Sequence, residues 1–204
     1  MRGCEGLRLA AAATICALGL SACGGGSERQ DADEPEGTYR VEIVRAKFPQ
    51  EQSLAQSSTL RLDVRNADDK ELPNVAVTLQ TAAKPGGGAA QAFAQDTGDV
   101  DQADPSRPVW ILDEGPEGGD TAYTNTWALG RLAAGETRTF KWRVTAVKAG
   151  DYTLDYVVSP GLDGRAKLAA GDGTKGSFRI SISDEPPDAR VGKDGQVITE
   201  RPKG

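Results

Sequence analysis

No histidine occurs in the 204 residues. That removes the commonest general base and the commonest transition-metal ligand, and with them the histidine-dependent triads and the usual catalytic zinc sets. Thiols are few: Cys4, Cys16 and Cys23 are the three cysteines. Carboxylates and tryptophans are what remain for chemistry or recognition. Asp96, Asp99, Asp101 and Asp104 lie in the stretch QDTGDVDQADP. Hard oxygen donors this close can wrap Ca²⁺. The stretch lacks the glycine and the terminal glutamate of an EF-hand loop, and a solvated acidic loop has the same composition. Asp113, Glu114 and Glu117 supply enough carboxyl groups for a glycosidase-type pair, although their separation in space is not encoded in their spacing. Trp110 and Trp127 flank a Gly/Ala-rich region. An aromatic on a loop anchors partners well, and Trp110 is the candidate for that role, with core packing as the alternative. No residue is assigned to catalysis or to a cofactor.

The N-terminal 23 residues have the layout of an export signal. Arg2 and Arg8 give a basic start, and Leu9 to Leu20 is an apolar run. That run is shorter than the roughly 20 apolar residues a membrane-spanning helix needs. It ends in Leu20-Ser21-Ala22-Cys23. These four residues resemble the lipobox of bacterial lipoproteins, L-[AS]-[GA]-C. The resemblance implies lipid transfer to the Cys23 thiol, cleavage before it, and residence on the extracytoplasmic face of the cell membrane. Cys23 would then be the sole thiol of the mature chain, which could form no internal disulfide. Loss of Arg2, Arg8 and Glu5 takes the formal net charge from -6 to -7. Such acidity excludes a phosphate-tracking nucleic-acid surface and disfavours adsorption to anionic headgroups.

Residues 23–37 follow with GGGSERQDADEPEG after the cysteine, the composition of a flexible tether with a reach of at most about 50 Å. From Thr38 the pattern acquires period two. Arg40–Ile43, Leu60–Arg65, Val75–Leu79, Val109–Leu112, Phe140–Thr145, Tyr152–Val158 and Phe178–Ser183 each place apolar residues at alternate positions or form a short apolar run. Alternation of this kind marks strands with one buried face. About seven such strands separated by turn signals predict an all-β fold, an antiparallel two-sheet sandwich over residues 38–183. An insert at about 82–121 makes it longer than a simple immunoglobulin-like domain. The tail, residues 184–204, reads either as a small hairpin around Asp194-Gly195 or as a disordered end.

Two stretches carry a second resemblance. One is Ser58 to Asn66 followed by Leu72-Pro73-Asn74-Val75-Ala76-Val77. The other is Leu132-Ala133-Ala134-Gly135-Glu136-Thr137, running to Phe140-Lys141-Trp142 and then Ala149-Gly150-Asp151-Tyr152-Thr153-Leu154. They are similar to CARDB-type immunoglobulin-like domains of bacterial surface proteins. The resemblance implies an immunoglobulin-like sandwich used for binding, spacing or adhesion, with no catalytic residues to carry over. Gly135 and Gly150 suit turns needing positive φ. Tyr152 resembles a tyrosine corner, and Trp142 reads as core.

The expected function is therefore a non-enzymatic, lipid-anchored binding, adhesion or assembly module of the cell envelope. Its partners would be the membrane, through Cys23, and an envelope protein or cell-wall component, and not nucleic acid. The alternatives are an enzyme or enzyme accessory acting on cell-wall glycan, and a solute-binding lipoprotein.

Overall fold

In a computed structural model of the chain, the described residues are 33–82, 90–95, 108–171, 173–185 and 188–200. Among them there is no helix. The first strands are β1 (Gly37–Tyr39), β2 (Val41–Lys47), β3 (Glu51–Ser53), β4 (Ser57–Asn66) and β5 (Ala76–Ala82). Next come β6 (Ala90–Gln91), β7 (Phe93–Gln95), β8 (Trp110–Glu114), β9 (Asp120–Tyr123) and β10 (Thr126–Ala128). The last are β11 (Thr137–Ala146), β12 (Gly150–Ser159), β13 (Ala166–Leu168), β14 (Lys175–Ser183), β15 (Asp188–Val191) and β16 (Val197–Glu200). The seven runs read from the sequence are β2, β4, β5, β8, β11, β12 and β14.

Two sheets hold most of these strands. One has five strands in the order β2-β4-β11-β8-β7. The other has seven: β3-β14-β12-β5-β10-β9 in order, with β6 also paired to β5. Register sets which residues share the interior. Leu60 pairs with Trp142 and Leu62 with Phe140 across β4 and β11. Tyr152 pairs with Ile180 across β12 and β14, and Leu79 with Tyr156 across β5 and β12. The two inner faces meet through their aromatic rings. Trp127 of the seven-stranded sheet stands edge-on to Trp142 of the five-stranded one at 5.6 Å between centroids. Trp110 meets Tyr152 in the same way at 5.9 Å. The fold is an immunoglobulin-like β-sandwich with one continuous core.

The loop motifs do the work their residue types allow. Gly135 has φ of +73° and Gly150 +134°, conformations that carry a steric penalty for any residue with a Cβ. Tyr152 donates its hydroxyl to the Ala149 carbonyl at 2.9 Å, the bond a tyrosine corner makes. Asn66 is wholly buried. Its Nδ2 donates to the carbonyls of Lys70 and Leu132, and its Oδ1 accepts from the Asp68 amide. One side chain thereby ties two loop segments, 68–70 and the one at Leu132.

Three expectations need correction. The sandwich has more than seven strands and is not purely antiparallel: β3 joins β14 and β7 joins β8 in parallel, and β1 joins β13 in parallel in a small sheet apart from it. These are three-residue segments, too short to display an alternation. Trp110, the candidate partner anchor, is fully buried. It faces inward because its register partner on β11 is Ala146, a core residue, and cross-strand partners share a face of the sheet. Its Nε1 donates to Gln52 Oε1 at 2.8 Å, and Phe48, Phe93 and Tyr152 surround it. The domain also begins before residue 38, since Glu34 is buried and β1 starts at Gly37. Of the two readings of the tail, the structure shows the hairpin: β15 pairs with β16, and Asp194-Gly195 lies in the connection of residues 192–196.

Candidate functional site

Cys23 and the calcium candidates Asp96, Asp99, Asp101 and Asp104 lie outside the described residues. The other carboxylates are placed. Asp113 lies on β8 and accepts hydrogen bonds from Thr145 Oγ1 at 2.9 Å and Ser57 Oγ at 3.3 Å. Glu114, on the same strand, pairs with Arg143 at 2.6 Å. Glu117 is exposed beyond the strand's end. Asp113 and Glu114 are thus engaged across the sheet by hydroxyls and a guanidinium. Among the described residues, no three carboxylate or thiol groups gather to hold a metal ion.

The outer face of the five-stranded sheet is polar and ordered by register. Lys47, Arg61 and Lys141 stand in one row across β2, β4 and β11. Asp63, beside that row, accepts from Arg61 Nε at 2.8 Å and Thr139 Oγ1 at 2.7 Å, with Arg45 at 3.6 Å. Burial alone would raise its carboxyl, but those hydrogen bonds and the two arginine charges hold it below the usual aspartate range.

The most elaborate polar site is one the sequence did not announce. Glu34 is only 6% exposed, and among the described residues its carboxylate is held by backbone amides, with no arginine or lysine charge beside it. The loop from Pro160 to Ala166 surrounds it with backbone donors instead. Glu34 Oε2 accepts the amides of Leu162 at 2.5 Å and Asp163 at 2.9 Å. Oε1 accepts the Ala166 amide at 2.8 Å. The backbone carbonyl of Glu34 takes a further bond from Arg165 Nη1 at 3.3 Å. Burial by itself pushes this carboxyl up; the loop amides outweigh it and bring it below the ordinary glutamate value. The converging N–H groups are what an anion-binding nest consists of.

The segment after Glu34 is pinned along the same loop. β1 adds to β13 with Gly37 opposite Ala166 and Tyr39 opposite Leu168. Tyr39 is buried, with Lys70 Nζ 4.2 Å from its ring centroid. Beside this junction lies an open cavity of about 520 Å³ lined by Glu36, Gly37, Thr38, Asp163, Gly164, Arg165 and Lys167. Arg165 Nε is 2.8 Å from Asp163 Oδ2. The walls carry both signs of charge. Such a site is equipped to hold a polar segment. A glutamate in an acidic, Gly/Pro-containing linker has no periodicity to betray it, and a nest of backbone amides leaves no side-chain signature.

Neither a family model nor a curated protein matches the chain. Solved structures do resemble it. The crystal structure of a CARDB domain from Pyrococcus furiosus, in complex with di-metal ions, is 11% identical. It aligns over 72% of this chain and 91% of its own, with a TM-score of 0.43. The solution structure of the same domain is 13% identical, over 74% and 99% of the two chains, with a TM-score of 0.43. Native alpha-2-macroglobulin from Escherichia coli, from domain MG7 to the C-terminus, is 16% identical over 78% of this chain and 21% of its own, at 0.41.

Proposed function

We propose that the protein is a lipid-anchored, non-enzymatic binding or assembly module at the extracytoplasmic face of a bacterial cell membrane. The observation that carries this reading is Leu20-Ser21-Ala22-Cys23 directly behind an apolar run too short to span a bilayer. A sandwich whose one core is closed by packing suits an exported domain that has no cysteine after Cys23 with which to cross-link itself. The engagement of Asp113 and Glu114 in cross-sheet bonds supports the non-enzymatic part of the reading. With the domain starting near Asp33, nine residues lie between it and Cys23, and the ten Cα-to-Cα steps limit the anchor-to-domain distance to about 36 Å. Cys23→Ser tests the anchor. The unaltered protein should take up radiolabelled palmitate, and the variant should take up none and keep its leader. Label on the variant, or none on the unaltered protein, would mean that Cys23 carries no lipid.

A further inference from the structure

Glu34 is held as a ligand is held. Its carboxylate meets three backbone amides that lie 128 to 132 residues away in the chain. The receiving loop is shaped around it: a Cβ added at Gly161 would come to 2.5 Å of both carboxylate oxygens. Gly161 is not at positive φ, so it is the carboxylate, and not backbone conformation, that a side chain here would displace. β1 belongs to neither large sheet and pairs with β13 over three residues. Residues 34–38 can therefore leave without breaking a ladder of the sandwich. Their departure would expose three amides and the edge of β13, beside Arg165 and Lys167.

We infer that the Pro160–Ala166 loop and the edge of β13 form a docking site for an extended acidic peptide of a partner, recognised through a glutamate carboxylate, and that residues 34–38 are its resident occupant in cis. The recognition mode is strand addition: main-chain pairing supplies affinity, and the carboxylate nest fixes register. The cis segment competes at an effective concentration on the order of millimolar. A partner must exceed that, so the site is closed to weak ligands and open to a peptide that also reaches Arg165 and Lys167. This inference concerns the domain alone and stands whether or not Cys23 carries lipid.

The test uses the full chain and a fluorescein-labelled peptide of residues 30–39 as probe. Fluorescence anisotropy should show Glu34→Ala binding the peptide at least tenfold more tightly than the unaltered chain. The same peptide with glutamine in place of its central glutamate should lose that binding. Adding Gly161→Ala to the Glu34→Ala chain should abolish it as well, because the new methyl fills the nest. Equal binding by the altered and unaltered chains, or by the two peptides, overturns the proposal. Should Glu34→Ala fail to fold, the amide resonances of Leu162, Asp163 and Ala166 in the unaltered chain decide it. Millimolar peptide should shift them, and their constancy would overturn the proposal equally.

Discussion

Trp110 and Trp142 share one core under different constraints. The Trp110 indole N–H has a partner, Gln52, which is itself buried. The Trp142 Nε1 is buried with no hydrogen-bond partner among the described residues. Replacing Trp142 by Phe removes ring volume but also a buried donor that was already unpaired. Replacing Trp110 by Phe removes similar volume and strands the Gln52 carbonyl, at about 1–3 kcal/mol for an orphaned buried acceptor. Trp110→Phe should therefore be the costlier substitution by roughly that amount, measured as the difference in urea unfolding free energy. Equal costs would mean that Gln52 finds another donor. The same bond accounts for the sequence's two readings of Trp110. Its strand showed an apolar run, but only the pairing with Ala146 decides that the indole points inward.

At the level of elements, legibility followed length. β4, β11, β12 and β14 each run nine or ten residues, so their inward rows of Leu60, Leu62, Val64 or Phe140, Trp142, Val144 were visible as period two. β1, β3, β7 and β13 have three residues each. A three-residue strand presents at most two side chains to the core, which no pattern separates from chance. β1 was further disguised by the linker composition before it, and what fixes it is a loop 128 residues away. The hairpin β15–β16 sits at the opposite extreme. It forms a sheet of its own, apart from the sandwich, and Val191 on it is 72% exposed. An isolated two-stranded hairpin is marginal in water and adds little to a neighbour it does not pack against. Ending the chain after Glu185 should leave the melting temperature within about 2 °C, well under the roughly 4 °C that 1 kcal/mol produces in a domain of this size. A larger drop in a calorimetric scan would show that the hairpin packs on the sandwich in solution.

For the molecule as a whole, the charged groups define a window of pH. No histidine is present, so no side chain at its ordinary value titrates between about pH 5 and 8. Below that range four carboxylates matter. Glu34 and Asp63 are buried, which alone would raise them, yet hydrogen bonds bring both below their ordinary values. Asp68 is lowered too: a small burial effect opposes it, and the Arg40 and Asp69 bonds prevail. Glu136 is lowered first by its bond from Arg138 and then by that from the Ala133 amide. A group depressed on folding binds its proton more weakly in the native state. Its contribution to stability is complete above the unfolded value, near 4, and disappears as pH falls through the folded value. The two core tyrosines act in the opposite direction. Burial raises Tyr152, helped by the charge of Asp151, and burial raises Tyr156. Their contribution is complete below about pH 10 and is lost as pH rises through their folded values. The melting temperature should accordingly be level from about pH 5 to 9, fall on the acid side below about 4, and fall again above about 10. Glu34→Gln should remove part of the acid-side drop, because its amide has no proton to gain, while starting from a lower plateau. Reductant should move none of these values, since no cysteine follows Cys23. A melting temperature that declines steadily between pH 8 and 5 would contradict the assignment of acid sensitivity to these carboxylates.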